Sequence, residues 1–258
     1  MTDSFFMYNT FFSLYKKLLI KQEKGPYKIK TKPLPNKLII STPGGLHGFY
    51  LLGVTSFIKA HYDLSDYKYS GASAGAWNSL FLSFKGNDTE FIDNLLRSNI
   101  HNVSSVLELE QNMKSMLLDN YIQEQFDLDK LNVGVAVMKR FLKFDLVIYN
   151  DFITLEDAVD SCIASSHIPF ITGGLLHRYR NKYCFDGGFF KYPYLNTTHP
   201  TLKISPSMWN SSYTVGGFAN GQFGETRLGL NLTELYIQGY NDTKNNRHVL
   251  DELFHCIV

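Results

Sequence analysis

"KYSGASAGAWNSL", residues 68–80, decides how this chain is read. Residues 68–70 continue a β-type run, and the stretch from Ala74 is apolar almost all round, which predicts a buried helix. Between the two stand Gly71, Ser73 and Gly75. A strand that turns into a helix over so few residues pinches the backbone, so its flanks must be small and its apex is held out of the chain. A serine at that apex meets the N-terminus of the helix, whose N–H groups and dipole favour negative charge on a reacting oxygen. The bland alternative is a tight strand–helix connection with no chemistry.

Two other glycine motifs bear on the choice. "LIIST" (38–42) reads as a buried strand, and Pro43-Gly44-Gly45-Leu46-His47-Gly48 follows it before another helical pattern. Consecutive glycines let backbone N–H groups converge on an anion, as an oxyanion hole requires; the alternative is a turn alone. A dinucleotide loop fits poorly, since GxGxxG is absent and no acidic residue sits about 20 positions on. The third motif is Asp186-Gly187-Gly188 at the end of a strand. Its carboxylate can act as a general base only if the fold carries it to Ser73.

Taken together, the three motifs resemble the patatin-like phospholipase family, which has a glycine-rich oxyanion loop, a GxSxG serine and an Asp-Gly-Gly or Asp-Gly-Ala aspartate in this order. The resemblance covers roughly residues 38–206. "GFYLLGV", "SGASAGA", "SSHIPF", "FDGG" and "LKISP" look most like the animal branch that includes adiponutrin and adipose triglyceride lipase. It implies a three-layer α/β/α sandwich with a central, mainly parallel sheet. It also implies a lipid acyl hydrolase with Ser73 as nucleophile, Asp186 as base and the N–H groups of Gly44, Gly45 and Leu46 holding the oxyanion. No cofactor or metal enters that scheme. The chain departs from the family at Pro43, which has no N–H and replaces another glycine. It departs again at His47, where plant and bacterial members often carry Lys or Arg, and at "FFKYPY" after Asp186.

The rest of the chain sets bounds. Its 258 residues, with 44% hydrophobic and 19% charged, suffice for one large domain with a full core. A net charge of +1 gives no reason to expect a nucleic-acid partner. Cys162, Cys184 and Cys256 are few and widely spaced, as in a reduced intracellular protein. The expected location is therefore intracellular, cytoplasmic or peripherally membrane-associated. Residues 1–36 read as an amphipathic segment and a Pro-containing linker, and 37–258 as the catalytic domain. Within the first, Phe5, Tyr8, Phe12, Tyr15 and Leu19 share a helical face beside Lys16, Lys17 and Lys21. That face either packs on the domain or touches a membrane or lipid-droplet surface.

Elsewhere the pattern alternates strand and helix, which is the mark of an α/β layered domain. Asn87 and Glu90 have capping-box spacing. Residues 105–125 read as helix, with Leu109, Met113, Met116 and Leu117 on one stripe. "NVGVAVM" (132–138) and "FDLVIY" (144–149) read as neighbouring strands, Thr154 as an N-cap, and 175–188 as a hairpin turning near Asn181. "LKISPSMW" gives another strand, 216–224 a loop, and the stretch from Glu234 a helix.

Two rivals stand beside the Ser-Asp reading. One is an α/β-hydrolase whose histidine, His199 or His248, completes a triad. The other is a lipid-binding patatin scaffold without activity. Transfer of the acyl group to an alcohol is a third outcome of the same chemistry.

Overall fold

The computed structural model describes residues 37–98, 100, 102–140, 143–195, 202–209 and 231–254. The N-terminal segment, His199, Cys256 and the glycine-rich stretch at 216–224 lie outside the described residues. Seven strands form one sheet: β1 (Leu38–Ser41), β2 (Lys68–Gly71), β3 (Leu131–Arg140), β4 (Lys143–Tyr149), β5 (His177–Tyr179), β6 (Lys182–Asp186) and β7 (Leu202–Ile204). The order β5-β6-β3-β2-β1-β7, with β4 also on β3, makes the sheet mixed. Strands β7, β1, β2 and β3 are mutually parallel, and β5 points the same way through two antiparallel pairings. Helices flank this mostly parallel sheet in the three-layer α/β/α manner expected from the sequence.

Alternation in β1 shows why both faces are covered. Ile39 joins the large core, while Leu38 and Ile40 join a second cluster with Ala72 and Tyr194. Successive side chains point to opposite faces, so a strand with three consecutive apolar residues, Leu38 to Ile40, must be packed on both.

Six described helices exceed a single short turn: α1 (Gly48–His61), α2 (Ala74–Ser83), α3 (Asp88–Arg97), α4 (Val106–Asn120), α5 (Leu155–Ser166) and α6 (Leu232–Asn245). A short α7 (Arg247–Asp251) follows. Both predicted N-caps are present. The Asn87 side chain accepts from the Thr89 and Glu90 amides, and that of Thr154 from the Asp157 amide. The helix expected over 105–125 ends earlier, at Asn120. Tyr121 takes extended backbone there and its ring packs with Phe84, Phe91 and Phe126. The strand expected over 202–209 is confined to Leu202–Ile204, and Pro206 follows it.

Helices α1 and α6 cross with their backbones almost touching. A Cβ on Gly53 would lie 2.0 Å from the Tyr236 carbonyl oxygen, and one on Gly239 2.0 Å from that of Tyr50. Among the described residues, no helix is long and apolar enough to cross a membrane.

Candidate active site

The register of β3 brings the two chemical motifs together. β2 runs parallel to β3 and ends with Gly71 opposite Val133. β6 runs antiparallel and ends with Asp186 opposite Val135. Since β4 pairs with these same residues of β3 from the other edge, β2 and β6 share one edge and meet head to head. Only Gly134 separates their ends. The residues that leave β2 and β6, Ser73 and Asp186, therefore emerge side by side.

Glycine is required at this junction for close approach. A Cβ on Gly71 would lie 2.1 Å from the Gly75 carbonyl oxygen, and one on Gly75 2.0 Å from that of Ser41. A Cβ on Gly187 would lie 2.0 Å from the Gly134 carbonyl oxygen. Ser73 itself has φ 55° and ψ −131°, a strained conformation for a residue with a side chain, costing about 1–3 kcal/mol. Its amide donates to Ser165 Oγ at 2.9 Å, and Ser165 donates onward to the Gly134 carbonyl at 2.6 Å. Ser165, on α5, thus ties the strained elbow to the residue separating the two strand ends.

Ser73 Oγ donates to Asp186 Oδ2 at 2.8 Å. The other carboxylate oxygen accepts the Gly188 amide at 2.6 Å, and the Asp186 amide donates to the His167 carbonyl at 2.8 Å. Ser73 is 4% exposed and Asp186 5%. Burial raises the Asp186 carboxyl to about 7, against the lowering effect of the Ser73 and Gly188 hydrogen bonds. A buried carboxylate is costly without charge compensation, and the two donors offset only part of that cost.

The glycine turn lies next to the elbow. Gly45–His47 forms one 3-10 turn, with Gly45 at φ 54°. Asn78 on α2 donates to the carbonyls of Gly48 and Ala74, at 3.1 and 2.9 Å. A Cβ on Gly48 would approach that of Ala74 to 2.9 Å. Gly45 and Leu46 consequently line the same cavity as Ser73, whereas Gly44 packs behind them near Pro206 and Leu51. Pro43 lies where a Cβ on Gly188 would meet its ring at 2.6 Å, which joins the Pro43–Gly48 loop to the Asp186-Gly187-Gly188 motif.

The cavity encloses about 870 Å³ of space between atoms, part of it open to solvent. Leu52, Phe81, Phe91, Leu95, Met113 and Leu117 give it an apolar wall. One wall residue stands apart: Glu110, on α4, is buried at 4% exposure. Burial pushes its carboxyl up to about 8 against the opposing Ser166 hydrogen bond, and the nearby Asp186 charge adds to the rise. Its Oε1 lies 2.5 Å from Ser166 Oγ, which also lies 2.8 Å from the Cys162 carbonyl and accepts from Trp77 Nε1 at 3.2 Å.

Sequence reasoning missed Ser165, Gly134 and Glu110. The helical phase could have exposed the last, because residue 110 shares the stripe of Leu109, Met113 and Leu117. His248 is exposed on α7. His167 is a brace, with Nε2 3.0 Å from the Gly174 carbonyl and Nδ1 3.1 Å from Thr172 Oγ1. Cys162 and Cys184 are free and buried.

The patatin-like phospholipase family model matches residues 44–195, more than half of the chain. No curated protein matches it.

Proposed function

The chain belongs to the patatin-like phospholipases, a family of lipid acyl hydrolases, and from that premise we propose that it cleaves lipid acyl esters with a Ser73–Asp186 dyad. The observation that carries this reading is the direct 2.8 Å hydrogen bond from Ser73 Oγ to Asp186 Oδ2 at the wall of an apolar cavity. Ser73 Oγ attacks the ester carbonyl while its proton passes to Asp186. The developing oxyanion faces the N–H groups of Gly45 and Leu46, with Gly44 shaping the turn behind them. The protonated Asp186 then gives its proton to the leaving alkoxide, and the acyl group stays on Ser73. Asp186 next takes a proton from water, which attacks the acyl-enzyme, and returns that proton to Ser73 Oγ as the acid leaves.

The raised carboxyl of Asp186, at about 7, makes it a stronger base than an ordinary aspartate near neutral pH, as this chemistry requires. A triad would place an imidazole between serine and carboxylate; the direct contact and the exposure of His248 favour the dyad. "SSHIPF" and "LKISP" support a place near the animal branch with adiponutrin and adipose triglyceride lipase. Exposed Phe170 and Leu175, close in sequence to cavity-lining Ile168, support uptake of substrate from a lipid surface.

The test is labelling by a fluorophosphonate together with hydrolysis of a short-chain ester. Ser73→Ala should abolish labelling and lower hydrolysis by at least ~10²-fold. Undiminished labelling of the folded variant would reject Ser73 as nucleophile.

A further inference from the structure

Glu110 has no part in the dyad chemistry, yet it lines the cavity in which that chemistry would occur. The other polar side chains of the wall are engaged: Ser73 by Asp186, Asn78 by two carbonyls, and Ser166 and Trp77 by each other. Glu110 Oε2 is buried and has no hydrogen-bond partner among the described residues. Ser166 carries a single hydroxyl proton but lies against two acceptors, Glu110 Oε1 and the Cys162 carbonyl. A protonated Glu110 resolves this. Its O–H donates from Oε1 to Ser166, Ser166 donates to Cys162, and the indole N–H fills the remaining lone pair. Oε2 is then left as an acceptor that lacks a donor.

Resting on the hydrolase reading, we propose that Glu110 makes the cavity selective for acyl chains carrying a hydroxyl group near the ester, which donates to Oε2. A plain chain would leave that oxygen unpaired, and a site built for a hydroxyl discriminates against the analogue without one. The position along the chain follows from connectivity. Ser166 adjoins Ser165, whose hydroxyl holds the Ser73 amide, so Glu110 acts on the part of the chain nearest the nucleophile. Met113, one helical turn from Glu110 and on the same wall, is unbranched and can change rotamer to admit the hydroxyl.

The experiment compares the p-nitrophenyl esters of decanoate, β-hydroxydecanoate and ω-hydroxydecanoate on the full chain. The ratio of kcat/KM for the β-hydroxy ester to that for the plain ester should be about three- to tenfold higher in wild type than in Glu110→Leu, the effect of one neutral hydrogen bond. Comparing ratios cancels the intrinsic reactivity of each ester. Glu110→Gln should keep most of the preference, because its amide can donate to Ser166 while its oxygen faces the chain. A merely structural role would lower both substrates equally and leave the ratio unmoved, which overturns the proposal. A preference for the ω-hydroxy ester overturns it too.

Calorimetry on Ser73→Ala gives an answer independent of catalysis and of any change at Glu110. β-Hydroxydecanoate should bind about three- to tenfold tighter than decanoate. That result without ester hydrolysis by wild type would reject the hydrolase reading and uphold this one. Equal binding, with hydrolysis intact, would do the reverse.

Discussion

Asp186→Asn should inactivate the protein and, at the same time, make it more stable above neutral pH. The Asp186 carboxyl ionises near its ordinary 3.8 in the unfolded chain but at about 7 in the folded one. Between those values the folded state holds a proton that the unfolded state has released. Stability therefore falls as pH rises through this window, and the full penalty applies above it. A difference of about three units corresponds to roughly 4 kcal/mol. The amide removes that penalty. Its oxygen can still accept the Gly188 amide while its NH2 donates to Ser73 Oγ, so both contacts persist, the second with its direction reversed. The expected gain at about pH 8 is therefore up to roughly 4 kcal/mol, or roughly 8–16 °C in Tm for a chain of this size. Near pH 3 the wild-type carboxyl is largely protonated in both states. The charge penalty is then absent, and the variant should melt close to wild type. Thermal melts at both pH values, with ester hydrolysis measured alongside, test whether the gain is confined to the higher pH. A variant destabilised equally at both would refute the argument that Asp186 is a carboxyl held against its charge.

Four further outcomes follow from the same geometry. The kcat/KM profile should lose activity as pH falls through about 7, because the base must be ionised and burial has raised it there; a limb near pH 4, measured with a soluble ester, would mean that Asp186 is solvated in the working enzyme. Ser165→Ala removes the acceptor of the Ser73 amide and the donor to Gly134, so kcat should fall roughly tenfold with KM little changed, and the fold should lose about 1–3 kcal/mol; denaturant melts and steady-state kinetics check both. Gly75→Ala places a Cβ 2.0 Å from the Ser41 carbonyl oxygen, and the variant should fail to accumulate as folded protein by circular dichroism. Gly45→Val forces a β-branched residue to φ 54° and should cost roughly 2–4 kcal/mol in transition-state stabilisation if an oxyanion donor is displaced; wild-type kcat in a folded variant would reduce the loop to a turn.

The parts of this structure that the sequence displayed are those fixed by local geometry. Gly71, Ser73 and Gly75 were legible because a strand–helix elbow admits no Cβ at its flanks, and the short distances to Gly75 and Ser41 show that constraint at work. Asn87 and Thr154 were legible as caps because each bonds amides two or three residues away. The hairpin at 180–181 was legible for the same reason, and both turn residues have positive φ. The early end of α4 was not legible, because it depends on Tyr121 joining an aromatic cluster with residues 84, 91 and 126. The convergence of Ser73 with Asp186 was legible only through the family resemblance and not from the local pattern. That depends on two strands of opposite direction ending against the same edge of β3, one residue apart, and no periodicity encodes a partner 113 residues away.

Ser165, Gly134 and Glu110 mark a deeper limit of motif reading. Ser165 and Gly134 carry no chemistry of their own, yet the strained backbone of Ser73 is held by one and the two strand ends are separated by the other. Strain of this kind persists only where neighbouring structure over-determines it, and here the determinants come from β3 and α5, both distant in sequence from the elbow. Glu110 presents the opposite problem. A glutamate in "LELEQNM" reads as a solvent-facing helix residue unless its phase is compared with that of Met113 and Leu117. Once inside, its carboxyl cannot easily ionise, so it behaves as a neutral hydrogen-bonding group beside an ionisable base. Two carboxyls near one cavity can therefore divide their work by environment alone. On the proposed reading Asp186, held by two donors, is the group that moves protons near neutral pH, and Glu110, facing an apolar wall, is the one that keeps its own and reads the chain.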